Sequence, residues 1–331
     1  MQSRRLLGLL VACITLVAVT AASLLVGARE IPLDVVFAAI FANDGSTAHT
    51  VVWESRIPRT LMGLVVGPAL GVCGALIQAF TRNPLADPGI LGVNAGASFA
   101  VTIAIGVFGV SGASGYVWFA LAGALVVTVA VYVIGASGRT SITPEKLTLA
   151  GVAVAAVLTG VGSAITLKNR EAFDGVRFWG VGSLGGRSLE PLWTIAPVIA
   201  VGLVLAVFVA RSLNVVALGD DLGSALGVKL GTTRVVTILA VTMLAGGATA
   251  LAGPIGFLGL MVPHVVRWFT GPDQRWIVAY SIVVSAVFLL VADILARIIL
   301  PSGELRVGIV TALVGAPVLI ALARRRTAKG L

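Results

Sequence analysis

The chain has 331 residues, 58% hydrophobic and 11% charged, with a formal net charge of +9 and a mean hydropathy of +1.06. Soluble domains carry roughly a quarter charged residues, so this composition excludes a soluble globular protein. The basic excess is no nucleic-acid signature either, because no basic patch is interleaved with stacking aromatics.

Charge-free intervals run over 6–28, 60–81, 88–138, 147–167, 191–210, 235–266, 276–292 and 307–323. A bilayer helix needs about 20 apolar residues, and only helices or closed barrels satisfy the backbone in lipid. Runs of this length predict an all-α integral membrane protein with about ten transmembrane helices. Residues 1–331 read as a single membrane domain. The predicted spans are 6–27, 60–80, 90–108, 116–136, 147–167, 191–210, 235–252, 256–268, 276–298 and 307–323.

The first span follows Arg4-Arg5 and exceeds the about 7–15 residues of a signal-peptide core, so it is expected to be retained. Cys13 and Cys73 fall inside spans and read as small packing residues. The loop 28–59 carries an amphipathic piece, Ile31–Phe41, and ends in Arg56-Ile57-Pro58-Arg59. Gly67, Gly71, Gly74 and Ala75 then line one side of the second span, the residue type that lets helices approach closely in lipid. Gln78 and Asn94 are single polar groups expected to bond between helices.

Between the second and third spans lies Arg82-Asn83-Pro84-Leu85-Ala86-Asp87-Pro88-Gly89. Each proline disfavours helical geometry in the residue before it, so the chain must reverse here at a membrane face. Gly109–Gly115 supplies the next turn, and 168–190 is a polar, Gly-rich segment containing Gly180-Val181-Gly182-Ser183-Leu184. Asn214–Arg234 is too apolar for a free linker and predicts one or two short helices lying on the membrane face. In the seventh span Gly246, Gly247, Ala250 and Gly253 share a face, and Gly253-Pro254 breaks the helix before a short eighth one carrying His264. Two helices that each run into a proline-broken segment hint at an inverted internal repeat. Asp293 and Arg297 stand four apart in the ninth span, either as a self-neutralising pair or as a functional intramembrane charge.

With an even number of spans both termini share a face. That face holds 14 of the 23 Lys and Arg, so both termini are predicted to be cytoplasmic. No GxxxxGK[ST] phosphate loop, HExxH or paired Cys/His spacing occurs. Neither a metal site nor a cofactor is expected in the chain itself. Ala217-Leu218-Gly219-Asp220 approaches the GxGD protease signature but lacks its first glycine. An ion channel or secondary transporter would need several membrane carboxylates, and only Asp293 is available.

These residues together resemble the FecCD permease family, the membrane-spanning subunits of type II ABC importers for iron-siderophore complexes, haem and cobalamin. The resemblance rests on Arg56–Arg59, Gln78, Arg82–Gly92, Gly180–Leu184, the 218–228 loop, Gly253–His264, Asp293 with Arg297, and Gly308–Pro317. Arg306 is a departure, since these permeases usually have proline there, and it leaves the turn before the last helix open.

The resemblance implies a bacterial inner-membrane permease subunit, paired with a second copy or a paralogue. Two cytoplasmic ATPases would bind ATP and Mg, and an extracytoplasmic substrate-binding protein would deliver cargo. A ferric siderophore is the expected cargo, with haem or cobalamin as the alternative. By motif position Arg56, Arg59 and Arg297 would face the binding protein. Asn83 and Leu85, with Ser141 and Thr143, would form the cytoplasmic gate. The coupling segment, about 214–233, would present Leu218, Gly219, Asp220, Ala225, Leu226 and Gly227 to the ATPase.

Overall fold

A computed structural model describes residues 2–27, 31–42, 44–110, 112–137, 144–186, 188–300 and 303–327. Among these the structure is helical with no strand: α1 Gln2–Leu25, α2 Leu33–Phe41, α3 Thr47–Val51, α4 Ile57–Phe80, α5 Val93–Gly106, α6 Ala113–Ala136, α7 Pro144–Lys168, α8 Arg170–Trp179, α9 Glu190–Val216, α10 Asp220–Ala225, α11 Leu230–Ala252, α12 Leu258–Thr270, α13 Gln274–Ile298 and α14 Val307–Thr327. Seven of the described helices are long and apolar enough to cross a membrane alone. The apolar helices α5, α12 and α14 complete a ten-span pattern. At 14 and 13 residues, α5 and α12 are only about 20 Å long, and each follows a proline-broken segment.

The second span is longer than its charge-free interval. A π-helical turn at Val52–Arg56 fuses α3 to α4, making one helical rod over Thr47–Phe80. Charge had ended the predicted span at 60, but Arg56 and Arg59 are buried here and do not stop the helix. The segment 168–190 also departs from a loop. Asn169 accepts a hydrogen bond from Ala172 N at 3.0 Å and starts α8. Arg306 directly precedes α14, with its guanidinium 4.9 Å from the Phe178 ring centre; Leu305 N donates to Ala296 O at 2.9 Å.

α4 and α11 form the centre, with 83% and 78% of their apolar windows buried. Around them pack α1, α6, α9, α12 and α13. The predicted glycine face of α4 lies in close contact with α12 and α13. A Cβ at Gly67 would stand 2.8 Å from Ala286 Cα of α13, and one at Gly74 would stand 1.7 Å from Gly259 O of α12. No side chain fits there. Just beyond, Gln78 Nε2 donates to Leu260 O at 3.0 Å while Arg267 donates to Gln78 Oε1 at 2.6 Å. Thr249 of α11 donates to Asn94 Oδ1 of α5 at 3.0 Å. Both single polar groups thus bond between helices, as expected.

The contacts sort the connections into two faces. One face, called terminal below, joins Arg5 to Tyr280, Asn214 to Asp273 and Arg82 to the start of α10. The opposite face joins the end of α1 to Arg297, and Ala252 to Ser183.

Substituting Gly74→Ala should destabilise the detergent-solubilised protein by about 1–3 kcal/mol, the usual cost of overpacking. Gly160→Ala is the control, because nothing lies within 4 Å of a Cβ there; it should leave the thermal midpoint unchanged or slightly raised. Equal midpoints for the two variants would remove the close α4–α12 crossing as a determinant.

Candidate functional sites at the two faces

At the face opposite the termini, α4 and α13 meet on one buried carboxylate. Asp293 is 0% exposed. Arg59 Nε donates to its two oxygens at 2.8 and 2.9 Å, and Arg297 Nε donates at 2.9 Å. Two cations on one buried anion leave a surplus charge, and Glu304 answers it by accepting from Arg59 Nη1 at 2.5 Å. The remaining donors satisfy the end of α1, whose last carbonyls have no helical partner. Arg297 Nη1 bonds Ser23 O at 2.7 Å, and Arg56 Nη1 bonds Leu24 O and Leu25 O, both at 2.7 Å. Positive charge at a helix C-terminus is also favoured by the macrodipole.

This corrects the sequence reading in one respect. Arg56, Arg59 and Arg297 were expected to face outward, yet they are 3%, 4% and 2% exposed. The reason is long-range pairing that no local window can see: Arg59 meets Asp293 across 234 residues, and Arg56 meets the α1 carbonyls of Leu24 and Leu25. The charges presented around them are those of Glu304 and Arg306, which border a cavity of about 470 Å³ with Ser183 and Tyr116. Ser23 and Glu304 were missed as members. Ser23 carried no signal inside an apolar span; its Oγ lies 2.8 Å from Thr60 Oγ1.

At the terminal face the Arg82–Gly92 reversal and the 214–234 segment are bonded together. Asn83 Oδ1 accepts from Leu85 N at 3.0 Å, and Asp87 Oδ1 accepts from Gly89 N at 2.8 Å, starting the 3-10 turn Pro88–Leu91. Burial pushes the Asp87 carboxyl up from its ordinary pKa, and the Gly89 N–H pulls the other way. Arg82 adopts φ 52°, a left-handed conformation uncommon outside glycine. Its Nε donates to Val216 O at 3.0 Å, and its Nη2 pairs with Asp220 Oδ1. Arg234 Nη2 holds the other Asp220 oxygen at 2.7 Å. One carboxylate therefore joins the reversal, the end of α9, α10 and α11.

Asp220 turns inward, toward this clamp. Leu218, Leu222 and Leu226 turn outward, 61%, 56% and 63% exposed. Leu222 lies in α10 and Leu226 at its C-cap, with Leu218 just before Gly219; an exposed apolar patch at a polar rim marks a protein contact. Positive-φ glycines, Gly219 at 117° and Gly227 at 81°, bound the segment. Ala225 and Leu226 are exposed as well. Leu222 and Arg234 were not singled out from sequence, although the Leu218/Leu222/Leu226 repeat was legible. Asn83 and Leu85 are exposed beside this assembly; Ser141 and Thr143 lie outside the described residues.

Among the described residues, α7 and the groove along α14 are two of the flanks that leave apolar surface uncovered. Only 11% of the α7 window is buried, and a cavity of about 420 Å³ between α5 and α7 is rimmed by Ser98, Thr102, Thr159, Ser163 and Thr166. Along α14 runs an apolar groove of about 570 Å³. Among the described residues no three His, Cys, Asp or Glu side chains cluster to hold a metal. His264 sits edge-on to Trp268, ring centres 5.9 Å apart.

The chain matches the FecCD transport family over residues 14–325. It is similar to the ferric enterobactin transport system permease protein FepD of Escherichia coli (strain K12), with 47% identity over 315 residues, 95% of this chain and 94% of that protein. It is also similar to the iron(3+)-hydroxamate import system permease protein FhuB of Bacillus subtilis (strain 168), with 41% identity over 304 residues, 92% of this chain and 79% of that protein. Its fold superposes on an inward-facing conformation of a metal-chelate type ABC transporter at a TM-score of 0.83 and 25% identity, covering 96% of this chain and 98% of that one.

Asp293→Ala strands two buried guanidinium groups. A loss of about 3–5 kcal/mol is expected, the usual result of removing one partner from a buried ion pair. Glu304 is 41% exposed, so Glu304→Gln should cost under about 1 kcal/mol. Thermal unfolding of both variants in detergent checks the order; a reversed order would mean that Glu304, and not Asp293, anchors the network.

Proposed function

The chain belongs to the FecCD transport family and is a membrane-spanning permease subunit of an ABC transporter; from that premise we propose that it imports a ferric siderophore across the cytoplasmic membrane by alternating access. Both termini lie in the cytoplasm in this reading, which the bias of Lys and Arg toward the terminal face supports. A second permease subunit, identical or a paralogue, covers the unpartnered flanks of α7 and α14. Cargo passes between the two subunits, along the hydroxyl-bearing wall of α5 and α7.

The observation that carries the mechanism is the clamp on Asp220. Cytoplasmic ATPases, which bind the ATP and Mg, dock on the Leu218/Leu222/Leu226 patch. When they close on nucleotide, the segment moves, and Asp220 passes that motion through Arg82 to the reversal bearing Asn83 and Leu85. Those two residues, with Ser141 and Thr143, form the inner gate. No bond in the cargo changes. The substrate-binding protein docks on the opposite rim, where Glu304 and Arg306 are presented. Arg56 and Arg297 support that surface from beneath by fixing the end of α1, and Arg59 does so by holding Glu304. Selectivity among iron chelates rests with the binding protein, because the path offers hydroxyls and small apolar groups without a dedicated ligand set.

The cargo is tested in proteoliposomes holding the permease pair, its ATPase and its binding protein. ATP-dependent uptake of ferric enterobactin or a ferric hydroxamate is expected; uptake of haem or cobalamin with neither chelate would overturn the assignment. The clamp is tested by Arg82→Ala, Asp220→Ala and the double variant. Each single change should lower uptake about tenfold, the equivalent of about 1.4 kcal/mol, while ATP hydrolysis continues. The double variant should lose little more than either single one, since contacting residues are not additive; multiplied losses would separate the reversal from the coupling segment.

A further inference from the structure

Away from both faces' charge networks, a groove of about 960 Å³ opens at the terminal face between the first half of α1, the end of α12 and the start of α13. Its wall is apolar, formed by side chains such as Val11, Val265 and Val284, and its rim carries Arg4 and Arg5. Among the described residues neither arginine enters an ion pair. Arg5 is held in place at the rim: its guanidinium lies 5.9 Å from the Trp276 ring centre, and its backbone carbonyl accepts from Tyr280 Oη at 2.5 Å. Trp268 and Phe269 are 58% and 72% exposed beside it. Tryptophans cluster at the depth of lipid headgroups. The groove therefore sits at the bilayer interface, with its cations at headgroup level and its wall reaching into the hydrocarbon.

We propose that this groove binds an anionic glycerophospholipid of the adjoining leaflet, its phosphate between Arg4 and Arg5 and an acyl chain along the α1–α13 wall. Charge selects the occupant. A second copy of the chain would bring its own arginines and a net charge of +9 against these two. A zwitterionic lipid offers no net countercharge, whereas basic pockets between membrane helices suit anionic headgroups. The outer surface of α1 agrees with a lipid neighbour: Leu6, Leu10, Ile14 and Val17 are 55–70% exposed, and only Ser23 of the helix is buried. The site gives the peripheral helix α1 an electrostatic tether at the terminal face, complementing the one that Arg56 and Arg297 supply at its other end.

Native mass spectrometry of the full-length permease in detergent, titrated with phosphatidylglycerol or phosphatidylcholine, tests the assignment. Phosphatidylglycerol should be retained about tenfold better or more, as two interfacial cations allow. Arg4→Gln with Arg5→Gln should abolish that preference, and both side chains are accessible enough for the variant to fold. Arg275→Gln, an exposed cation of the same face outside the groove, should keep it. Val11→Trp, which fills the wall without altering charge, should weaken retention of phosphatidylglycerol. Equal retention of the two lipids by the wild type, or a preference that survives the double substitution, would overturn the site. Complete competition by inorganic phosphate would also overturn it, by showing that the acyl wall contributes nothing.

Discussion

The smooth face of α4 is the constraint on which the rest of the molecule depends. With Gly67 and Gly74 reduced to bare backbone, α13 and α12 approach until a methyl group no longer fits. Lipid tails are as apolar as leucine, so burial of apolar surface does not drive such contacts in a membrane. Close packing and interhelical hydrogen bonds must supply the association instead. Gln78, wedged between Leu260 O and Arg267 just past Gly74, adds the polar half of that bargain. Because α4 is fixed along its length, whatever is attached to its two ends is fixed relative to it.

Those ends carry charge of different character. Arg59, near the start of α4, is paired with a carboxylate that is 0% exposed. Such a network is costly to break, since each uncompensated charge would remain out of water. Arg82, just past the other end, meets Asp220, and the two side chains are 41% and 40% exposed. Exposed pairs are worth roughly 0–1 kcal/mol and exchange readily with water. One helix therefore has a permanent anchor at one face and a remakeable joint at the other.

Much of this was legible in the sequence because spans, glycine faces and proline breaks are local patterns. The charge-free intervals located every membrane helix, and the Gly67/Gly71/Gly74 spacing named the tight face of α4. What the sequence withheld was long-range or conditional on folding. Arg56 and Arg59 ended a predicted span because an isolated charge is expensive in lipid. Asp293 removes that expense for Arg59 from 234 positions away, and the end of α1 does so for Arg56 through the carbonyls of Leu24 and Leu25. The same pairings turned arginines expected at the surface into buried struts. α8 was missed for a different reason: its glycine and charged residues suggest a loop, and only the Asn169 cap indicated a helix start. Leu222 was readable by spacing but lay hidden among neighbours noticed for their glycines.

The inverted-repeat hint gains a physical form. α4 and α5 are 24 and 14 residues long, α11 and α12 are 23 and 13, and a proline-bearing break separates each pair. The breaks lie at opposite faces. Among the described residues the two non-glycines with positive φ are Arg82 at 52° and Phe257 at 67°, one in each break. Left-handed backbone at non-glycine residues costs energy and persists only where the surroundings enforce it. The surroundings differ. Arg82 is held by Asp220 at the start of the exposed α10 segment, whereas Phe257 is pressed against α14, where a Cβ on Gly315 would come within 2.4 Å of it. Each strained reversal thus hands its position to a different peripheral element, α10 at one face and α14 at the other. A shift of α10 changes the joint at the terminal face directly, and it reaches the Phe257 break along α11, which Arg234 ties to Asp220 and which ends at Ala252.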